Sequence, residues 1–291
     1  MGRFVRYISD EFLSALKRSA EQPGWWQDVL RDKSLIIALR DNYLNVYWQG
    51  QSIFKVTYQE GQAAASTHPK YLLNPALSGQ VALKGEHFSV ENFERDMITR
   101  KYEPGVTLSK LKRAAGLHSG SEKEGVHAIA MANGAVVDVE IAMSVRELGM
   151  DKQIPRMDLA VLRADKSGIN LMFWEAKTYV NPELKSKAVL GQITKYKRAI
   201  RAYKSDIVEA YRNVAKILVD VASMSGGVRE VSQEVKAIAS GSDLIVSEEN
   251  VGLIVYGYDA HQKGSVEAML KHPDFEEQQI RWKGDPRGLL L

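Results

Sequence analysis

The chain has no cysteine among its 291 residues. That excludes disulfides, thiol catalysis and cysteine-based zinc sites, and nothing points to secretion. No apolar run approaches the about 18 residues that mark a membrane-spanning helix, so none is expected. Met1-Gly2-Arg3-Phe4-Val5-Arg6 lacks an apolar segment of signal-peptide length. Arg6 stands where myristoylation of Gly2 would want Ser or Thr. A cytoplasmic location is the resulting expectation. A strong charge of either sign is missing too, since the formal balance is only +3. Affinity for a polyanion must then come from local clustering of cations. No internal repeat or long low-complexity tract is evident. What the chain does have is 45% apolar residues, enough for a sizeable core in one large domain or two smaller ones.

Residues 7–21 carry the spacing of an amphipathic helix, stopped by Pro23-Gly24. Three strand-like runs follow, Leu35 to Arg40, Tyr43 to Trp48 and Ser52 to Tyr58, separated by Asp41-Asn42 and Gln49-Gly50-Gln51. That spacing predicts an antiparallel meander. Residues 61–82 read as loop, and a helix is expected from Ser89 to about Tyr102. Pro104-Gly105, Gly116 and Ser119-Gly120-Ser121 mark a soft boundary near residue 115. It separates an N-terminal α+β module, 1–115, from a second domain, 116–291. The second domain reads as helix (about 122–132), strands (Val136–Met143, Met157–Arg163, Ile169–Ala176), helices (about 184–204 and 206–225) and strand (Val251–Tyr256). This is a compact α/β order, αβββαβ.

The strand through Leu171, Met172, Phe173 and Trp174 is apolar enough for a core position, yet it ends in Glu175-Ala176-Lys177. Side chains alternate along a strand, so Glu175 and Lys177 share a face. Asp158 begins the preceding strand. Across the turn Ala164 to Gly168, the start of one hairpin strand lies beside the end of the next, which brings Asp158 near Glu175. Two carboxylates repel, and a hard divalent cation relieves that repulsion. Mg²⁺ takes oxygen ligands, and the Ala176 carbonyl is the candidate third donor after Asp158 and Glu175. Such a site suits phosphodiester hydrolysis. Lys177 would orient or deprotonate the attacking water, or stabilise charge developing on phosphate. The plain structural alternative is an ion pair at a solvated strand end.

Met157-Asp158, Glu175-Ala176-Lys177 and Gln192-Ile193-Thr194-Lys195-Tyr196 together resemble the PD-(D/E)XK nuclease superfamily. More narrowly they resemble its RecB-like and exonuclease-like branch, which carries a Gln-x-x-x-Tyr motif on the helix after the catalytic strand. The resemblance covers about 135 residues and none of the first 115. It implies a restriction-endonuclease-like αβββαβ core, Mg²⁺ or Mn²⁺ on Asp158 and Glu175, a catalytic Lys177, and Gln192 and Tyr196 shaping the site and contacting DNA. The family's proline falls at Pro155, three residues before Asp158 rather than adjacent. The family also tends to place an acid or histidine on the first core helix. Glu124 is the choice here, with Glu122, His127 and, on the first strand, Glu140 as competitors.

Tyr196 also belongs to an apolar stripe with Val189, Ile193, Ile200 and Tyr203, which is core spacing. Lys185, Lys187, Lys195, Lys197, Arg198 and Arg201 share the following helix region with Lys204, and no acid lies among them. They read as a phosphate-tracking surface with salt-dependent, sequence-independent affinity. The aromatic residues of the meander (Tyr43, Tyr47, Trp48, Phe54, Tyr58) and Trp25-Trp26 read as core and cross-strand pairs in preference to base-stacking platforms. The expected function is a metal-dependent deoxyribonuclease of the kind used in bacterial restriction, phage defence or repair, acting as a homodimer or in a larger complex. The alternative is a module that kept the fold and binds nucleic acid or protein without catalysis.

Overall fold

The computed structural model describes residues 4–73, 97–143 and 156–291, with the backbone pairing of two short strands between the first two segments. The N-terminal part opens with α1 (Asp10–Ala20). Ser9 caps it by accepting the Phe12 N–H, Asp10 and Glu11 lie in its first turn, and Lys17 and Arg18 lie in its last. Each placement suits the helix dipole. Phe12, Ala15 and Leu16 form its buried face. Next come α2 (Trp25–Arg31) and four antiparallel strands in sequential order, β1 (Ile36–Leu39), β2 (Leu44–Trp48), β3 (Gln51–Gln59) and β4 (Gln62–Ser66). The expected meander is therefore present with a fourth strand added. Gln62-Ala63-Ala64-Ala65-Ser66 carries no strand signature and is recruited by pairing with Lys55–Gln59. β5 (Leu83–Lys84) pairs with β6 (His87–Phe88). Most of the helix expected from Ser89 lies outside the described residues. Residues 97–102, which are described, are not helical, and Met97 bridges Leu73.

The soft boundary contains a helix, α3 (Thr107–Gly116), with Leu108, Leu111, Ala114 and Ala115 buried at helical spacing. It packs on β2 and β3. Then follow α4 (Ser121–Ala132), β7 (Val136–Ile141), β8 (Met157–Asp165), β9 (Gly168–Thr178), α5 (Pro182–Lys185), α6 (Ala188–Ala202), α7 (Lys204–Met224), α8 (Gln233–Ala239), β10 (Leu244–Ile245), β11 (Val251–Tyr256), α9 (Lys263–Leu270), α10 (Pro273–Glu276) and β12 (Gln279–Trp282). The second sheet is mixed, with order β12-β11-β9-β8-β7 and β10 alongside β9. β7, β8 and β9 are antiparallel, while β11 runs parallel to β9 and to β12. The class is thus mixed α/β.

β9 sits at the centre, and every residue from Leu171 to Lys177 is buried. One face of this sheet packs on α6 and α7 through Val189, Ile193, Tyr196, Ile207 and Tyr211; the other packs on α4 through Ile129 and Ala130. α4 approaches very closely. A β-carbon on Gly125 would lie 2.0 Å from the Tyr256 ring, so only glycine fits there. The single long helix expected over 184–204 is broken in two because Lys187 adopts left-handed backbone geometry (φ 62°). The buried apolar cluster on the α6 and α7 side runs without a break into the N-terminal sheet, including Trp26, Leu44 and Phe54. A buried charge cluster ties the two parts further. Asp138 of β7, fully buried, meets Arg40 at 2.6 Å and Arg6 at 3.1 Å. Of the aromatic residues read as core, Tyr47 and Phe54 of the meander and Trp26 of α2 are buried, while Trp25, Tyr43, Trp48 and Tyr58 are half-buried. Among the described residues no helix is long and apolar enough to cross a membrane.

Candidate functional site

β8 and β9 pair from Asp165 and Gly168 up to Leu159 and Trp174, and the ladder stops there. Beyond that rung the strands lead to Asp158 and Glu175. On β9 the Phe173 N–H goes to Asn250 and the Tyr179 N–H to Tyr256, so the odd-numbered amides face β11. The even-numbered ones face β8, where the Ala176 N–H finds the Asp158 carboxylate at 2.7 Å. A strand residue sends its N–H and C=O to the same side, so the Ala176 carbonyl points into this gap as well. The sequence thus places Asp158, Glu175 and the Ala176 backbone together because the hairpin opens at that point.

Glu175 and Lys177 are not a solvated strand end: they are 3% and 7% exposed. Lys177 Nζ lies 2.9 Å from Glu175 Oε1 and 2.7 Å from Glu183 Oε2. The Tyr196 hydroxyl donates to Glu175 Oε2 at 2.9 Å. Gln192 Nε2 donates to Glu183 at 3.1 Å, and its Oε1 is buried without a partner. The five residues singled out in the sequence therefore meet: Asp158 at the gap, Glu175 and Lys177 on β9, and Gln192 and Tyr196 one helical turn apart on α6. Tyr196 is both things its sequence allowed. Its ring is fully buried in the apolar stripe and its hydroxyl holds Glu175.

Burial pushes the Asp158 carboxyl well above the usual carboxylate range, and the charge of Glu175 pushes it further, against the pull of the Ala176 amide. Burial also raises Glu175, and Lys177 and Tyr196 only partly offset it. Lys177 runs the other way. Burial opposes its charge, but Glu175 and Glu183 outweigh burial and keep it an ammonium above its ordinary range. Glu183 is held low by its hydrogen bond to Lys177.

A cavity of about 70 Å³ adjoins Asp158, lined also by Glu122, Lys123, His127 and Glu140, with Tyr47 from the N-terminal sheet. Glu124, the residue chosen on the first core helix, is exposed and does not line this cavity. Glu122 does; its Oε2 accepts from Asn181 at 2.6 Å, and its charge acts on Glu175. Glu140 adopts left-handed backbone geometry (φ 53°), rare for a non-glycine residue in a strand. Lys123 and Arg156 approach it at 3.8 and 3.5 Å. His127 is buried against Trp48, and neither ring nitrogen has a hydrogen-bond partner. Burial lowers its pKa, which favours the neutral ring. Pro155 lies outside the described residues. Among the described residues no group of three or more His, Asp or Glu side chains is placed to hold a metal ion as it stands.

Sequence reasoning missed Glu183 and Asn181. Their signal was present: Asn181-Pro182 opens α5, with the Asn181 side chain accepting from the Glu183 N–H. The cationic surface also differs from its sequence appearance. Lys197 pairs with Glu249 at 3.0 Å and Arg201 with Glu248 at 2.9 Å, while Lys187 pairs with Asp274. Lys185, Lys195 and Arg198 are exposed. The helix carries no acid of its own, but the loop before β11 and the start of α10 bring acids to it.

No family model matches the chain, and no curated protein and no solved structure matches it.

Proposed function

We propose that the chain is a metal-dependent nuclease hydrolysing phosphodiester bonds in DNA, built on a restriction-endonuclease-like αβββαβ core. One observation carries this reading: a buried Glu175–Lys177 pair, braced by Tyr196 and Glu183, stands beside Asp158 where the hairpin opens. Two neighbouring carboxylates with raised pKa values form a site that a cation would stabilise. The donor set fits a hard ion, since Asp158, Glu175 and the Ala176 carbonyl all offer oxygen. Bound Mg²⁺ or Mn²⁺ would polarise the scissile phosphate and acidify a water. Lys177, kept charged by Glu175 and Glu183, then acts on phosphate charge in preference to serving as a base. Tyr196 keeps Glu175 oriented, and Gln192 holds Glu183 against Lys177. The left-handed backbone of Glu140 is the kind of local strain that gathers at functional sites, and Glu122 is the helix acid facing this one.

The test is a panel of linear, circular and single-stranded DNA and of RNA, each with divalent metal, comparing wild type with Lys177→Ala. Cleavage by the wild type and its loss in the variant support the mechanism; equal cleavage overturns it. A second reading, a non-catalytic module binding nucleic acid or protein, is favoured by one observation. Both Glu175 oxygens already have partners in Lys177 and Tyr196. No cleavage of any substrate by the wild type would select that second reading.

A further inference from the structure

Three half-buried rings stand where the second sheet ends on the site's side. Tyr179 follows β9, Tyr258 follows β11 and Trp282 closes β12. Their position relative to Lys177 is set by the ladder. Val255 is paired with Lys177 on one side and with Trp282 on the other, so the three residues occupy one rung. Residues on one rung point to the same face, which places Trp282 on the face of Glu175 and Lys177. Two strand spacings, about 10 Å, separate the Lys177 and Trp282 backbones. Tyr179 and Tyr258 have ring centroids 6.4 Å apart, and Tyr258 and Trp282 6.0 Å. The rings form a row from the site to the edge strand of the sheet.

The row is held in place. The Lys283 N–H donates to the Val255 carbonyl at 3.1 Å and the Gly257 N–H to the Gly284 carbonyl at 2.9 Å, so β11 and β12 stay paired to their ends. A β-carbon at Gly284 would lie 2.3 Å from the Tyr258 carbonyl oxygen, so glycine alone permits this approach. Arg281 and Lys283, the strand neighbours of Trp282, are exposed on the opposite face of β12. A rigid aromatic surface loses little freedom on binding.

Resting on the nuclease reading of the site, we propose that this row is a stacking ledge. It takes the bases of a single nucleic-acid strand whose phosphate lies at Lys177. A closed duplex keeps its bases stacked on one another and offers the rings nothing; a single strand has free base faces for them. Fluorescence anisotropy of labelled oligo(dT), with EDTA to prevent cleavage, tests this against a blunt duplex of equal length. Trp282→Leu keeps apolar bulk against the core but cannot stack; Trp282→Phe restores a ring. Circular dichroism and melting temperature report folding. The ledge predicts a roughly 5- to 100-fold loss of single-strand affinity in Trp282→Leu, recovery of most of it in Trp282→Phe, and unchanged duplex affinity. Unchanged single-strand binding in folded Trp282→Leu, or an equal loss for both substrates, overturns the ledge and leaves the nuclease reading standing. Failure of the wild type to bind either form overturns the ledge and the DNA-binding part of that reading together. Cleavage with divalent metal in the Lys177→Ala comparison then judges the catalytic part separately.

Discussion

Tyr196→Phe removes one oxygen atom and nothing else. The ring is fully buried and phenylalanine fills the same volume, so no cavity forms and the apolar stripe of α6 is unchanged. What is lost is a hydroxyl that donates to Glu175 Oε2 at 2.9 Å and lies 3.2 Å from the Arg156 carbonyl. Glu175 is only 3% exposed, so water does not readily replace that donor. A hydrogen bond to a charged group contributes about 1.5–3 kcal/mol, and removing one partner leaves the other desolvated and unpaired. Stability should fall by about that amount, which corresponds to a melting temperature lower by roughly 3–10 °C. Urea unfolding followed by tryptophan emission reads this as a lower midpoint with unchanged slope. The same change raises the Glu175 pKa further and weakens divalent-ion affinity at neutral pH. A midpoint equal to wild type would mean that Tyr196 is a packing residue alone, and the bracing of Glu175 would have no energetic basis.

Asp158 and Glu175 both have raised pKa values, so the native state holds more protons than the unfolded one between the ordinary and the raised values. Metal-free stability therefore falls as pH rises through that window, and stabilisation by added Mg²⁺ or Mn²⁺ grows over the same window. Thermal melts with and without metal across pH check it; a pH-independent metal shift contradicts it. Asp138→Ala leaves Arg6 and Arg40 buried without their carboxylate and should cost about 3–5 kcal/mol, read as a fall in urea midpoint or a failure to fold. Glu249→Gln releases Lys197 from its ion pair and should steepen the salt dependence of DNA binding by about one phosphate contact. An unchanged slope removes Lys197 from the binding surface.

The central hairpin was legible because its pattern is redundant. An apolar run from Leu171 to Trp174, a short turn and a charged end leave few alternatives; the structure places the run and the charged end as read and tightens the turn to Lys166-Ser167, with Ala164, Asp165 and Gly168 taken into the strands. The pairing partners of α6 were not legible, since Glu248, Glu249 and Asp274 arrive from chain segments distant in sequence. The break at Lys187 was hidden for another reason: lysine carries no signal for left-handed backbone. Glu122 against Glu124 was a question of helical phase. Gly125, His127, Ile129 and Ala130 are the buried residues of α4, and Glu122, at i−3 from Gly125 and i−7 from Ile129, reaches the cavity with Val126 and His127 while Glu124 is exposed. Reading Gly125 as a close-approach position would have fixed that phase. The fourth strand of the N-terminal sheet, Gln62–Ser66, has no strand propensity and exists only because β3 offers it an edge.

Calorimetric titration of Mn²⁺ into the metal-free protein, with Asp158→Asn and Glu175→Gln alongside, tests the central claim most directly. One saturable site in the wild type, absent from both variants while their folds persist, is the expected result. Equal heats in all three proteins, or none in the wild type, would contradict the assignment of these two carboxylates as the place where a cation is held.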